Sequence, residues 1–317
     1  MTTAVTLAFA VLAGILAYVG WAAREIAGGA NPLWFVAALP VAALAVPALL
    51  TTVWMTLSWL YRAPRPPGID VGVRGLLDLY RREVLAIAGS VPRMIGYRWL
   101  VRDPPPAPAA VPVLLLHGVL CNAGVWRPLS KYLTARGIAP IYALSYGPPL
   151  ASIDLFADQL AEKVDAILAA TGAARIVIVG HSMGGLVARA YLRRYGAAKV
   201  CRLITLGTPH HGSVLASSFP GVALAQMRPG NAWLAELGAT PAAALPPIVS
   251  LWSWHDSMVV PQTSSVFEHA ENVALAGTAH NALLTDPAVQ ARVAAAIVAA
   301  TNARCPAEIS PTSESPA

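Results

Sequence analysis

Ser182 stands in the pattern Gly180-His181-Ser182-Met183-Gly184, directly after the β-branched run Ile176-Val177-Ile178-Val179. Leu186, Val187 and Tyr191 follow at helical spacing. A strand that turns this sharply into a helix leaves a serine hydroxyl at the apex, over a helix N-terminus that favours developing negative charge. Gly180 and Gly184 mark where a Cβ would collide with the backbone of so tight a turn. The chemistry open to such a serine is nucleophilic attack on a carbonyl. The pattern also occurs by chance, so the rest of the chain must supply a base, an acid and an oxyanion hole.

Leu116-His117-Gly118-Val119-Leu120 ends an apolar run, and Gly118 permits a turn that aims the next N–H groups back at the serine. The N–H groups of Val119 and Met183 then form a two-donor oxyanion hole, each donor worth roughly 3 kcal/mol of barrier. His117 reads as a prop for this loop and less well as a base. Asp256 lies just past the apolar run 248–254, where a carboxylate can fix the tautomer of a histidine. Asp154, Asp158 and Asp165 fall on a helix with solvated spacing, and Asp286 reads as a helix N-cap.

His280, in Gly277-Thr278-Ala279-His280, follows the last strand-like run and is the expected base. His255 and His269 are the alternatives. Adjacency to Asp256 does not help His255, because neighbouring side chains in an extended segment point apart. His210-His211 invites a metal reading, but the two would face different ways and lack partners at ligand spacing. No metal and no cofactor is expected.

The elements that must position these residues alternate. Strands are expected over 113–116, 139–145, 175–179, 200–206, 248–254 and 272–276, with helices over 125–136, 152–170, 183–195 and 287–300. Near-continuous apolar strands between helices predict a parallel sheet covered on both faces, with ligands bound at the carboxyl ends of its strands. Residues 212–247 form a Gly/Pro/Ala-rich insertion. As a cap over the elbow it would offer Phe219, Leu224, Met227 and Trp233, with Leu120, to an acyl chain. A crossover helix with a long loop accounts for the same composition.

The chain has 317 residues, 56% hydrophobic and only 12% charged, against about a quarter charged in soluble domains. Its mean hydropathy is +0.57. The net charge of +6 is carried almost wholly by arginine. No basic run is interleaved with aromatics, which excludes a nucleic-acid surface. Cys121, Cys201 and Cys305 lie far apart and read as ordinary buried or tail thiols.

Residues 1–23 hold no charge and residues 31–61 hold none either, each enough to cross a bilayer core of about 30 Å. With no positive n-region and no clear cleavage site, the first run reads as a retained helix. Pro40 and Pro47 should kink the second. Residues 1–61 are therefore expected to form a hairpin of two transmembrane helices. Arg62, Arg65, Arg74, Arg81 and Arg82 follow it, which places the catalytic domain in the cytoplasm. Residues 62–110 comprise an amphipathic helix over 72–88, with Leu76, Leu77, Tyr80 and Val84 on its apolar side, and a Pro/Ala linker over 103–112. The catalytic domain spans 111–304, and the tail from 305 to 317 is expected to be disordered.

Taken together, GHSMGG after a β-branched strand, LLLHGVL, ITLGTPHHGS, DSMVVP and GTAHNALL resemble the bacterial triacylglycerol-lipase and esterase branch of the α/β-hydrolase superfamily, over residues 111–301. The resemblance implies a small-form α/β-hydrolase fold, a mostly parallel sheet flanked by helices. It implies that Ser182, Asp256 and His280 match the family triad, and that Val119 and Met183 match its oxyanion donors. The expected function is a serine hydrolase of the bacterial inner membrane that cleaves lipid-like or other apolar esters. Acyl transfer or thioester cleavage on the same fold is the alternative, and an inactive membrane scaffold is a third. The two N-terminal spans set the chain apart from the familiar secreted lipases. Oligomeric state is not legible.

Overall fold

The computed structural model of the protein describes residues 3–302. Six strands, β1 Val113–Leu116, β2 Ile141–Leu144, β3 Ile176–His181, β4 Val200–Leu206, β5 Ile248–Ser253 and β6 Glu271–Leu275, form one sheet in the order β2-β1-β3-β4-β5-β6. Every pairing is parallel, as expected for the small form. β1, β3 and β5 are buried along their whole length, which explains their unbroken apolar runs. Alternate side chains serve two cores: Leu114 and Leu116 of β1 join one cluster, Val113 and Leu115 the other.

Helices α6 Ile153–Thr171 and α7 Met183–Tyr195 cover the first face. Helices α5 Arg127–Thr134 and α10 Pro287–Asn302 cover the second. After β1 the chain passes outward to β2 and then returns to β3 on the other side of β1. The carboxyl ends of β1 and β3 therefore meet at the point where strand order reverses, with Leu116 beside Gly180. Open parallel sheets bind ligands at such a point. The turn after β1 and the serine after β3 are thus neighbours by topology.

Before the sheet lie α1 Thr3–Ala27 and α2 Pro32–Leu60, joined through Asn31, whose side chain accepts from Leu33 N–H. Both are long and apolar enough to cross a membrane, and only 6% of each apolar window is buried. α2 runs on as a helix through Pro40 and Pro47. Cys121 is a free thiol. Cys201 is disulfide-bonded, which corrects the expectation of an ordinary thiol. Cys305 and the tail lie outside the described residues.

α3 spans Gly72–Ile95 and α4 Tyr97–Leu100, so the helix expected over 72–88 continues for two more turns, through Pro92. Its buried side also differs from expectation. Leu79, Glu83, Val84, Ala86 and Met94 are buried, whereas Leu76 and Leu77 are exposed. α3 packs between the hairpin and the catalytic domain, and the domain's loops, not apolarity alone, choose the face that is covered. On the hairpin side Tyr80 Oη donates to the Ala48 carbonyl of α2 at 3.0 Å.

The insertion between β4 and β5 contains two short helices, α8 Val222–Gln226 and α9 Ala232–Gly238, and no single crossover helix. Leu224 and Met227 are buried in the core beneath them, so they are not the open acyl-binding surface expected. Trp233 is also placed differently. Its indole donates to Asp154 of α6 at 2.8 Å and sits near Arg193, which is about 16 Å along α7 from Ser182. Phe219 and Leu120 remain exposed.

Candidate active site

Ser182 has φ 56° and ψ −126°, a positive-φ conformation that L-residues seldom adopt. Such a conformation costs roughly 1–3 kcal/mol and persists only where neighbours enforce it. Here the Ser182 N–H is fixed to the Leu206 carbonyl of β4 at 2.9 Å. The glycines show how closely the turn is packed. A Cβ on Gly184 would stand 2.2 Å from the Leu116 carbonyl oxygen, and one on Gly180 would stand 2.6 Å from the Gly185 nitrogen. Gly185, which sequence reasoning passed over, is equally confined: its Cβ would meet the Thr208 hydroxyl at 2.1 Å.

On the β1 side, a Cβ on Gly118 would come within 3.0 Å of Ser182 Cβ and 3.5 Å of its Oγ. The turn carrying Val119 therefore lies directly against the serine. Met183 is the first residue of α7, whose opening N–H groups have no partner within the helix. Val119 follows Gly118 in this turn and Met183 follows the serine in the chain. His117 is buried and stacked on Tyr146 at 4.0 Å, its Nδ1 2.8 Å from the Gly118 carbonyl. Burial lowers its pKa to about 4 despite that bond, so it is a neutral prop.

His280 Nδ1 lies 2.8 Å from Asp256 Oδ2, and both side chains are almost wholly buried. Asp256 Oδ1 accepts from the Met258 and Val259 N–H groups, each at 2.8 Å. The carboxylate is therefore satisfied on both oxygens. Burial pulls the imidazole down, but the charge and hydrogen bond of Asp256, with a smaller push from Glu83, hold it above the usual 6.5. The bond to Asp256 puts the proton on Nδ1 and leaves Nε2 bare to take one from a hydroxyl.

His181 joins His280 to the turn that holds Ser182. Its Nε2 lies 3.1 Å from the His280 carbonyl and the two rings are 4.6 Å apart. Burial first, and then the charge on His280, push its own pKa well below the usual value, so it donates as a neutral ring. Among the described residues no hydrogen bond joins Ser182 Oγ to His280. Bonds of this kind are often long until substrate arrives.

The other histidines are engaged elsewhere. His255 Nδ1 accepts from the Gly277 N–H at 3.1 Å, and burial lowers its pKa to about 4. His269 is exposed and packs edge-on to Phe267. His210 is buried against Arg189 and Thr205, while His211 turns outward to Glu268. Asp286 caps α10 through the Ala288 N–H at 2.8 Å, as its position suggested.

Two features of the site were not read from the sequence. Gly207, at φ 52°, lies against the Asp256–His280 pair: a Cβ there would stand 2.8 Å from Asp256 Oδ2 and 3.3 Å from His280 Nδ1. The other is the end of α2, where Ser58 Oγ donates to the Asp256 carbonyl at 2.7 Å. Gln262 Nε2 donates to the same carbonyl at 3.1 Å and to Ser58 Oγ at 2.8 Å. The arrangement can carry out nucleophilic attack on an acyl carbonyl with general-base assistance.

The pattern of the alpha/beta hydrolase family matches residues 113–313, and the chain belongs to that family. Among its relatives is a triacylglycerol lipase of Burkholderia plantarii, 29% identical over 165 residues, or 45% of this chain and 44% of the relative. A triacylglycerol lipase of Pseudarthrobacter phenanthrenivorans is 44% identical over 118 residues, covering 33% of this chain and 35% of that one. The chain thus spans less than half the length of these curated relatives. The mature lipase of Bacillus licheniformis shares the fold, with a TM-score of 0.54 and 18% identity over 62% of this chain and 96% of its own.

Proposed function

We propose that the protein is a membrane-anchored serine hydrolase that cleaves carboxylic esters of lipid-like or other apolar acyl groups. His280 takes the proton of Ser182, Ser182 attacks the ester carbonyl, and the Val119 and Met183 N–H groups receive the oxyanion. The alcohol leaves with a proton returned by His280. Water then attacks the acyl-serine, with His280 again as base, and releases the acid. The observation that carries this reading is the buried Asp256–His280 pair at 2.8 Å, tied through His181 to a serine in a strained turn.

The hairpin supports the apolar substrate class. The end of α2 reaches the acid loop through Ser58, and Trp54 of α2 touches Phe219 of the cap at 5.6 Å between rings. If α1 and α2 span a bilayer, the face that holds Ser182 is turned towards it. The arginines after residue 61 favour the cytoplasm for this domain. A reporter fused after residue 303 tests this orientation.

The test of function is a panel of a triacylglycerol emulsion, phospholipid vesicles and a short soluble ester, given to wild type and Ser182→Ala side by side. Acid release from the apolar esters by wild type alone is expected. An added alcohol that diverts most of the acyl group into a new ester would make the enzyme a transferase.

A further inference from the structure

Glu83 is a carboxylate 1% exposed in the middle of α3, and among the described residues no arginine or lysine pairs with it. A buried carboxylate is costly unless its lone pairs are used, and an apolar side chain would fill the same space without that cost. Its partners are therefore informative. Ser257 Oγ donates to Oε1 at 2.9 Å. Asn281 donates to the same oxygen from its backbone N–H at 3.1 Å and from Nδ2 at 2.8 Å. The Ala282 N–H donates to Oε2 at 2.9 Å. Ser257 adjoins Asp256, and Asn281 adjoins His280.

The acid loop follows β5 and the base loop follows β6; these strands are paired, and the loops touch directly through the Gly277 N–H on His255 Nδ1 at 3.1 Å and the His280 N–H on Ser257 Oγ at 3.4 Å. Glu83 binds both loops. Arg82 of the same helix reinforces the base side, pairing with Asp286 at 2.8 Å and donating to the Gly277 carbonyl. We propose that Glu83 is a positioning residue of the active site, through which the juxtamembrane helix sets the acid loop and the base loop relative to each other. The proposal rests on Ser182, Asp256 and His280 acting as the triad.

Charge separates positioning from mere stabilisation. The titratable groups facing His280 are Asp256, Glu83 and His181, and of these Asp256 and Glu83 oppose burial by favouring the imidazolium. In Glu83→Gln the amide oxygen can keep the three donors at Oε1, while its NH₂ is brought against the Ala282 N–H. The variant should fold. Its kcat should fall roughly 100-fold, the scale of a misplaced catalytic group, with KM for a soluble ester little changed. The acid limb of its kcat/KM profile should move to lower pH, because His280 loses a charge that favours protonation. Glu83→Asp keeps the charge but is one methylene shorter, so kcat should fall with the limb unmoved.

Wild-type kcat and an unmoved limb in Glu83→Gln would overturn the proposal. Should that variant not fold, Ser257→Ala removes the only acid-loop donor to Glu83 among the described residues, together with a long 3.4 Å acceptor for the His280 N–H, and should lower kcat roughly 10-fold or more, the worth of at least one buried hydrogen bond. Wild-type kcat there would overturn it equally. Fluorophosphonate labelling of the same preparations separates this failure from a wrong triad. Unlabelled wild type removes the triad itself, whereas labelling of wild type and Glu83→Gln at one rate, with the same pH dependence, removes only the role of Glu83.

Discussion

His280 can act as a base only with its proton on Nδ1, and the surroundings of Asp256 are what dictate that tautomer. Oδ1 is occupied by two backbone N–H groups, so the side chain must present an acceptor on that side. In Asp256→Asn the amide oxygen would take that place and the NH₂ would face His280 Nδ1. Nδ1 would then have to accept, and the proton would move to Nε2, where it blocks attack. A fall in kcat of roughly 10,000-fold is expected, with the fold retained, the scale seen when this aspartate is neutralised in serine hydrolases. Because His280 sits above the usual 6.5 in wild type, kcat/KM should rise with pH through a value higher than that. Loss of the Asp256 charge should lower that midpoint in any residual activity. A pH–rate profile of both proteins measures the two effects.

Between the strands and the helices, the same close packing that holds Ser182 in its strained turn makes the elbow intolerant. Gly184→Ala places a Cβ against the Leu116 carbonyl at 2.2 Å, and backbone atoms cannot step aside as a side chain can. The variant should lose roughly 1–3 kcal/mol of stability, read as a lower midpoint in thermal unfolding. What was legible in the sequence at this scale was whatever local pattern determines. The six strands were found within about two residues at each end, and Ser182, Val119, Asp256 and His280 stood out as candidates because each follows the carboxyl end of a strand. Gly207 and Glu83 were not, since their roles arise from contacts between segments far apart in the chain. A helical pattern shows that α3 has an apolar side, but the loops after β5 and β6 decide that Leu79 and Glu83 are covered while Leu76 and Leu77 stay open. The cap was misjudged for a related reason. Leu224 and Met227 are apolar because they fill the core under α8 and α9.

At the scale of the molecule, the N-terminal hairpin is packed into the rest of the chain. Its second helix ends on the backbone of Asp256, and α3, packed against that helix, grips the loops that carry Asp256 and His280. The N-terminal helices and the loops that carry Asp256 and His280 thus share hydrogen bonds. The central claim beneath this picture is that Ser182 does the chemistry. The most direct test is the rate of p-nitrophenyl butyrate hydrolysis by the purified full-length protein and by Ser182→Ala in the same detergent. The account predicts a rate for Ser182→Ala indistinguishable from the blank. Hydrolysis by the variant at the wild-type rate would contradict it.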